Sequence, residues 1–212
     1  MDIILFGIQG SGKGTQGKRI AERYGMALFE TGGELRKLAK EDSPLGLKVR
    51  AIINAGYLVP NEVVMEIIEN FLSKVSAKEC VLFDGIPRSM EQMESFNALM
   101  ARHARGFKGV LIYIPKEMAM DRLLTRKICS KCKSVFPASY EKDICGECGS
   151  ELVKRDDDNE ASIKTRLSAY ENETMPVIEK YKANGQMIEI EGTGTIDEVS
   201  ELAFKALDPL CK

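Results

Sequence analysis

Residues 7–15 read Gly-Ile-Gln-Gly-Ser-Gly-Lys-Gly-Thr, and they stand between an apolar run at 3–6 and an amphipathic stretch that ends near Tyr24. A strand, a glycine-rich turn, a lysine and a helix in this order are typical of a phosphate-binding loop. Glycines let successive backbone N–H groups turn toward one anion, and the N-terminus of the helix adds partial positive charge. Lys13 adds a full positive charge toward the outer phosphates. The stretch therefore predicts a site for a phosphate chain.

Two positions bear on a magnesium ion that would accompany this phosphate chain. Gly14 stands where this loop commonly has a serine or threonine whose hydroxyl binds magnesium. The direct hydroxyl ligand is therefore absent, or Thr15 supplies it. Asp84 ends the apolar run 81–83, and a carboxylate at such a strand end suits Mg²⁺, usually through water. We therefore expect Mg²⁺ as a cofactor.

Composition is that of an ordinary soluble globular protein. The chain has 212 residues, of which 44% are hydrophobic and 29% are charged, and its net charge is −2. This charge gives no argument for nucleic acid or an anionic membrane as a partner. No signal peptide and no apolar run approaching the length of a membrane span is evident, so we expect a cytoplasmic protein. Nothing in the sequence demands a dimer, and a monomer is expected.

Five short apolar runs alternate with helical stretches along the chain. This alternation predicts an α/β fold with a central five-stranded parallel sheet covered on both faces. Thr31 is predicted to cap the helix that follows the second strand. One long helix is predicted over 159–183. The composition changes at 129–158, which indicates an inserted lobe.

Four of the six cysteines fall in this inserted lobe. Cys129 and Cys132 form one Cys-x-x-Cys pair, Cys145 and Cys148 form a second, and 12 residues separate the pairs. The layout is typical of a tetrahedral four-sulfur metal site, with Zn²⁺ as the first candidate and iron or cobalt as metals that accept the same ligands. A redox-active disulfide pair is the alternative. Four sulfurs leave no coordination position for water, so we expect a structural ion.

Several arginines stand beside the predicted phosphate site. Arg36 follows a glycine turn at 32–33, Arg88 follows the strand-end carboxylate, and Arg126 and Arg155 flank the cysteine segment. Guanidinium groups bind phosphate oxygens as a fork, and phosphoryl transfer between two nucleotides requires much negative charge to be neutralised. The arginine set therefore favours a phosphoryl-transfer site.

Other polar positions are less informative. The aspartates at 156–158 form either a solvated turn or hinge contacts that hold Arg155 and the lobe. We assign no role to His103, the only histidine. No Ser/His/Asp set is available, which disfavours a covalent hydrolase.

Together these motifs resemble adenylate kinases of the long bacterial type, whose lid carries zinc, and the resemblance covers essentially the whole chain. The most specific match is Asp84-Gly85-Ile86-Pro87-Arg88, which resembles the family's Asp-Gly-Phe-Pro-Arg signature. Residues 54–59 resemble the segment that lines the AMP base. The resemblance implies ATP contacts from Gly10, Ser11, Gly12, Lys13, Gly14, Thr15, Arg122, Arg126, Val135, Phe136 and Gly194. It implies AMP contacts from Thr31, Arg36, Tyr57, Leu58, Val59, Gly85, Ile86, Pro87, Arg88, Gln92, Arg155 and Arg166.

The implied reaction transfers a phosphoryl group from ATP to AMP, gives two ADP and uses magnesium. The implied catalytic residues are Lys13, Asp84, Arg88, Arg126, Arg155 and Arg166. The implied fold is a three-layer α/β/α phosphate-loop core with a helical monophosphate-binding lobe and a small lid that resembles a zinc ribbon. The core takes 1–29, 60–121 and 162–212, the lobe 30–59 and the lid 122–161. Lid and lobe are expected to close over both nucleotides and exclude water.

Four residues depart from the family's usual pattern without removing a charge needed for transfer. Gln9 replaces a proline in the loop, and Gly33 replaces an aspartate that commonly follows Thr-Gly. Ile86 replaces the phenylalanine of the signature, and Phe136 replaces a tyrosine in the lid.

Three alternatives stay open from the sequence. A kinase for UMP or CMP has the same fold, and base choice depends on few contacts. A regulator could keep nucleotide and metal binding without turnover, although Lys13 and the arginines argue against it. A zinc-ribbon protein that binds nucleic acid is disfavoured by the net charge and by the lack of a basic aromatic stripe.

Overall fold

A computed structural model describes residues 1–155 and 158–211 of the chain. The strands, in chain order, are β1 (Asp2–Phe6), β2 (Ala27–Glu30), β3 (Val81–Asp84), β4 (Phe107–Tyr113), β5 (Lys127–Cys129), β6 (Val135–Phe136), β7 (Leu152–Val153) and β8 (Met187–Glu191). The helices are α1 (Lys13–Tyr24), α2 (Thr31–Leu38), α3 (Pro44–Ala55), α4 (Asn61–Leu72), α5 (Met90–Arg102), α6 (Lys116–Thr125), α7 (Glu160–Ala169), α8 (Met175–Ala183) and α9 (Ile196–Leu207).

Within these described residues, five parallel strands form the main sheet in the order β2-β3-β1-β4-β8. The predicted five-stranded α/β fold is confirmed. Strand β1 lies at the centre, where the chain switches direction across the sheet, and the crevice beyond the carboxyl end of such a strand is the usual ligand site of an open α/β sheet. The loop at 7–12 therefore begins where a ligand is expected.

Alternating side chains of β1 supply the two cores. Ile3 and Leu5 pack with α1 and α9 on one face of the sheet. Ile4 and Phe6 pack on the other face in a larger cluster that includes residues of α4, α5 and α8. A parallel sheet buried on both faces explains why the strands read as continuous apolar runs.

Local sequence signals account for several helix ends. Pro44 begins α3, and the Ser43 side chain accepts a hydrogen bond from the backbone N–H of Gly46. Gly56 ends the same helix at φ 84°, a left-handed conformation that favours glycine. The end of α3 therefore delivers residues 56–59 to the central cavity.

The prediction that Thr31 caps α2 is wrong. Glu30 occupies the cap position, and Thr31 is the first residue of the helix. The Thr31 side chain is buried, and its hydroxyl has no hydrogen-bond partner in the described protein. Because β2 runs directly into α2, the hydroxyl is turned away from the orphan N–H groups of the first turn.

The predicted long helix over 159–183 is interrupted by a π turn at Tyr170–Thr174. Pro176 follows in the first turn of α8, where its missing N–H cannot complete regular α-helical bonding. The Thr174 hydroxyl donates a hydrogen bond to the carbonyl oxygen of Arg88 at 2.9 Å. The π turn therefore supports the segment that carries Arg88.

The inserted segment forms a small antiparallel sheet in the order β6-β5-β7. No helix among the described residues is long and apolar enough to span a bilayer.

Candidate active site

The phosphate-binding loop has the backbone that its glycines predict. Gly10 and Gly12 both lie at φ 90°, a region that other residues rarely adopt. Gly12 is the N-cap of α1, and its carbonyl oxygen accepts hydrogen bonds from the N–H groups of Thr15 and Gln16. The buried Ser11 hydroxyl has no partner in the described protein. The loop therefore presents backbone donors and one unpaired hydroxyl at the start of a helix.

Lys13 lies across this loop. Its ammonium donates to the carbonyl oxygens of Gly7 at 2.6 Å and Ile8 at 3.1 Å. Desolvation lowers the pKa of Lys13 to about 8, and the charge of Asp84 opposes that shift. The positive charges of three arginines add to the lowering: Arg88, Arg166 and Arg126. The centre has so much positive charge that it lowers the pKa of its own lysine, which is the electrostatic state that a polyphosphate would relieve.

The predicted AMP residues surround one cavity of about 620 Å³, a volume that includes its solvent-open part. This is within the usual range for a small-molecule site. Nine predicted residues line it: Thr31, Arg36, Tyr57, Leu58, Val59, Gly85, Arg88, Gln92 and Arg166. Of the remaining predicted AMP residues, Ile86 and Pro87 are buried and do not line this cavity, and Arg155 is half-buried outside its lining.

Three arginines reach the cavity by packing over glycines. A Cβ on Gly32 would lie 3.1 Å from Nη1 of Arg36, and a Cβ on Gly85 would lie 2.6 Å from Nη2 of Arg88. The Arg88 Nε also donates to the carbonyl oxygen of Gly85 at 2.7 Å. A Cβ on Gly56 would lie 3.2 Å from Cγ of Arg166. Glycine at 32 and 85 therefore provides the space in which the guanidinium groups of Arg36 and Arg88 lie.

Asp158 joins two of the predicted catalytic arginines. Its carboxylate accepts two hydrogen bonds from Arg126, each at 2.6 Å, and one from Arg166 at 3.1 Å. The side chain is only 4% exposed. Burial alone would raise the pKa of Asp158, but the hydrogen bond and charge of Arg126, with the charges of Arg166 and Arg155, lower it below its usual value. The hinge reading of the aspartate run fits this contact, while Asp156 and Asp157 lie outside the described residues.

The predicted ATP residues extend from the loop to the lid. Both terminal nitrogens of Arg122 donate to the carbonyl oxygen of Gly192, at 3.3 and 3.4 Å, two residues before Gly194. Val135 and Phe136 form β6 at the lid edge, where the Phe136 ring lies 4.4 Å from that of Tyr140. The end of α6, the loop before α9 and the lid therefore provide the ATP-side residues.

Two carboxylates lie at the sheet edge beside the loop. A Cβ on Gly14 would lie 3.7 Å from Oδ2 of Asp84 and 3.8 Å from Oε1 of Glu30. Carboxylate oxygens are suitable partners for Mg²⁺ or its water ligands. Sequence reasoning missed Glu30, although its place at the end of β2, opposite Asp84 in register, gives the same signal that identified Asp84.

The four lid cysteines form one cluster. The sulfur atoms of Cys129, Cys132, Cys145 and Cys148 all lie within 4.8 Å of one another. The nearest pair, Cys129 and Cys148, is 3.3 Å apart, well beyond a disulfide bond, and all six cysteines are free. Backbone N–H groups of residues 131, 132 and 147 approach the Cys129 and Cys145 sulfurs. This donor set fits a four-coordinate metal ion and does not support the disulfide alternative.

Comparison with known proteins agrees with this geometry. A sequence model of the family described as adenylate kinase matches residues 5–186. Three proteins named adenylate kinase are each 36% identical to the chain. The alignment covers 100% of both chains for Clostridium kluyveri, 98% of both for Clostridium perfringens, and 99% of this chain and 100% of the relative for Kosmotoga olearia. The chain belongs to the adenylate kinase family and is a nucleoside monophosphate kinase.

Proposed function

We propose that the protein catalyses reversible, Mg²⁺-dependent phosphoryl transfer from ATP to AMP to give two ADP. The observation that supports this most directly is the convergence of Lys13, Arg88, Arg126 and Arg166 beside a separate cavity of monophosphate size. Cations between two nucleotide sites can neutralise the charge that develops on a phosphoryl group in transit.

In this mechanism the residues act by position and charge. The loop N–H groups and Lys13 would hold the ATP phosphates, while Arg36 and Arg88 would bind the monophosphate from the cavity wall. Arg126, Arg155 and Arg166 would stabilise the migrating group, with Asp158 fixing two of them before substrate arrives. No general base is needed, because the acceptor is already an anionic phosphate oxygen.

Base selection is proposed to depend on Gln92 and Thr31. The amide oxygen of Gln92 accepts the backbone N–H of Arg88 at 2.9 Å, so the amide nitrogen, a donor, remains for the ligand. Adenine presents an acceptor at N1, whereas uracil and guanine present an N–H at the corresponding ring position. The unpaired Thr31 hydroxyl also lines the cavity and can bond a base or ribose. This donor pattern favours AMP over UMP and GMP.

Two metal ions have different proposed roles. Mg²⁺ would accompany ATP beside Asp84, supplying charge neutralisation on the phosphates. Zn²⁺, with iron or cobalt as alternatives, would be held by the four lid cysteines. We assign the core to 1–29, 60–121 and 162–212, the lobe to 30–59 and the lid to 122–161, and we propose a cytoplasmic monomer with nucleotides as its partners.

The test is a coupled assay of ATP with AMP, UMP, CMP and GMP in turn, with Mg²⁺ present and then chelated. We expect AMP to give the largest kcat/KM, CMP to follow, and activity to vanish without a divalent ion. Preference for UMP or CMP would identify a pyrimidine monophosphate kinase instead. Nucleotide binding without turnover on any of the four would support a regulator.

A further inference from the structure

Glu30 and Asp84 place two carboxylates side by side at the edge of the sheet. The two residues end neighbouring parallel strands and are direct partners in the register of β2 and β3. Residues in register on adjacent strands project to the same face, so their side chains are neighbours. Both are half-buried, and within residues 1–155 and 158–211 neither carboxylate has an ion pair or a side-chain hydrogen bond.

The residue after the loop lysine identifies what these carboxylates face. In the phosphate-loop pattern that residue supplies a hydroxyl to the magnesium ion, so its Cβ points toward the metal position. Here the residue is Gly14, and its missing Cβ would lie 3.7 Å from Asp84 Oδ2 and 3.8 Å from Glu30 Oε1. The place that the pattern gives to the metal ligand is therefore bordered by both acids.

Gly33 supplies an independent argument. A Cβ on Gly33 would lie 3.4 Å from Cβ of Glu30 and 3.9 Å from its Oε2. An aspartate at 33, which commonly stands there in the family, would put a second carboxylate into the space that Glu30 fills. The pairing of Glu30 with Gly33 therefore keeps one carboxylate in this space and changes only the strand or helix that supplies it.

Two neighbouring carboxylates without a cation are mutually repulsive. They are stabilised when a hydrated divalent ion lies between them and the phosphates, because Mg²⁺ keeps several waters that donate hydrogen bonds to carboxylate oxygens. We propose that Glu30 is a positioning residue that, together with Asp84, holds the water ligands of the magnesium ion bound to ATP. This inference rests on the proposed function and names a residue that the reaction scheme above does not use.

The proposal predicts how strongly the protein prefers MgATP to metal-free ATP. Glu30 repels bare ATP phosphates and attracts the hydrated ion, so the ratio of the two dissociation constants measures its effect. Glu30→Gln is expected to lower this ratio by about tenfold, the size expected for one charge-assisted hydrogen-bonding contact. A residue with only a structural role would change both dissociation constants equally and leave the ratio as it was.

The experiment is calorimetric titration of the full-length protein with ATP, once with Mg²⁺ and once with chelator, and with Mn²⁺ replacing Mg²⁺ for water-proton relaxation. Glu34→Gln is the matched control, because Glu34 lies in the same helix and pairs with Lys37 at 2.6 Å. This control should leave the ratio unchanged. The double variant Glu30→Ala/Gly33→Asp moves the carboxylate to position 33 and should recover most of the preference lost in Glu30→Ala.

The outcomes separate this inference from the function on which it rests. An unchanged ratio in Glu30→Gln, with Asp84→Asn lowering it and turnover of the unsubstituted protein intact, would overturn the role of Glu30 alone. Failure of position 33 to recover the preference would also contradict it. If the unsubstituted protein transfers no phosphoryl group and shows no preference for MgATP, the proposed function fails first.

Discussion

The core and the lid hold their functional groups by different means. The phosphate centre lies at the edge of a sheet that packs apolar side chains on both faces. Between residues 127 and 155, all of which the structure describes, the only buried hydrophobic side chains are Cys129 and Cys145. A segment with so little apolar burial cannot offset its conformational entropy unless a ligand or covalent link helps. The core can therefore fold without its substrates, whereas the lid depends on the ion that its cysteines bind.

The sharpest test of this comparison is a change that removes chemistry from the core and leaves stability intact. Lys13→Ala is expected to lower turnover by about a thousandfold or more, since it removes the one ammonium inside the phosphate loop. The temperature of thermal unfolding should stay the same or rise, because the buried charge is lost. A coupled assay and calorimetry measure the two quantities. Lys18→Ala, at an exposed position on the same helix, is the control; similar turnover in both variants would contradict the loop assignment.

Asp158→Asn addresses the junction between the core and the lid. Removing this charge leaves Arg126 and Arg166 close together without their shared partner, so turnover should fall by about ten- to a hundredfold. The loss should be mainly in kcat, because the arginines remain present but misplaced. Asp143→Asn, at a 91% exposed lid residue that pairs with Lys127, is the control for removing an acid from the lid. Equal, small effects in both would show that Asp158 does not position the arginines.

Cys129→Ser should have the reverse profile of the lysine variant. Loss of one of four sulfurs weakens the metal site, so we expect a lower unfolding temperature and metal content below the about one ion per chain expected of the unsubstituted protein. Turnover at low temperature should change by less than about fivefold, since the sulfurs touch no substrate in a closed four-coordinate site. Cys80→Ser, outside the cluster, is the control. A loss of turnover at low temperature as large as the loss of stability would indicate a catalytic ion.

The sequence predicted those features whose signal is local. The loop glycines, the Cys-x-x-Cys pairs and the cap at Gly56 each follow from neighbouring residues, and the structure has all three. The lining of the cavity was found through the resemblance, which supplied residues as far apart as Thr31 and Arg166.

Contacts between distant segments were the part that sequence patterns could not reach. The ion pair between Arg126 and Asp158 joins residues 32 positions apart, and no spacing rule connects them. Glu30 was overlooked because its partner, Asp84, is defined by the pairing of β2 with β3. Thr31 was assigned to a helix cap by residue type alone, while the direct passage from β2 into α2 left that place to Glu30.

The smallest expected effect is a pH dependence that only the core should show. The pKa of Lys13 is lowered from 10.5 to about 8, mainly by desolvation, so the free enzyme loses this charge as pH rises through about 8. The KM for ATP should therefore rise by a few-fold to tenfold for each pH unit above that value. Bound phosphates add negative charge and raise the pKa again, so kcat should stay level to higher pH than kcat/KM.

Stability should move in the opposite direction over the same range. Between pH 8 and 10.5 the unfolded chain keeps the Lys13 proton that the folded protein has lost, so this group makes the free energy of unfolding rise with pH. ATP affinity and the stability contribution of Lys13 are thus expected to change with opposite signs, which general alkaline denaturation cannot produce. Steady-state kinetics from about pH 7 to pH 10, with urea unfolding of the unsubstituted protein and Lys13→Ala, measures both. A KM for ATP that stays constant across this range would mean that Lys13 is not the group that titrates.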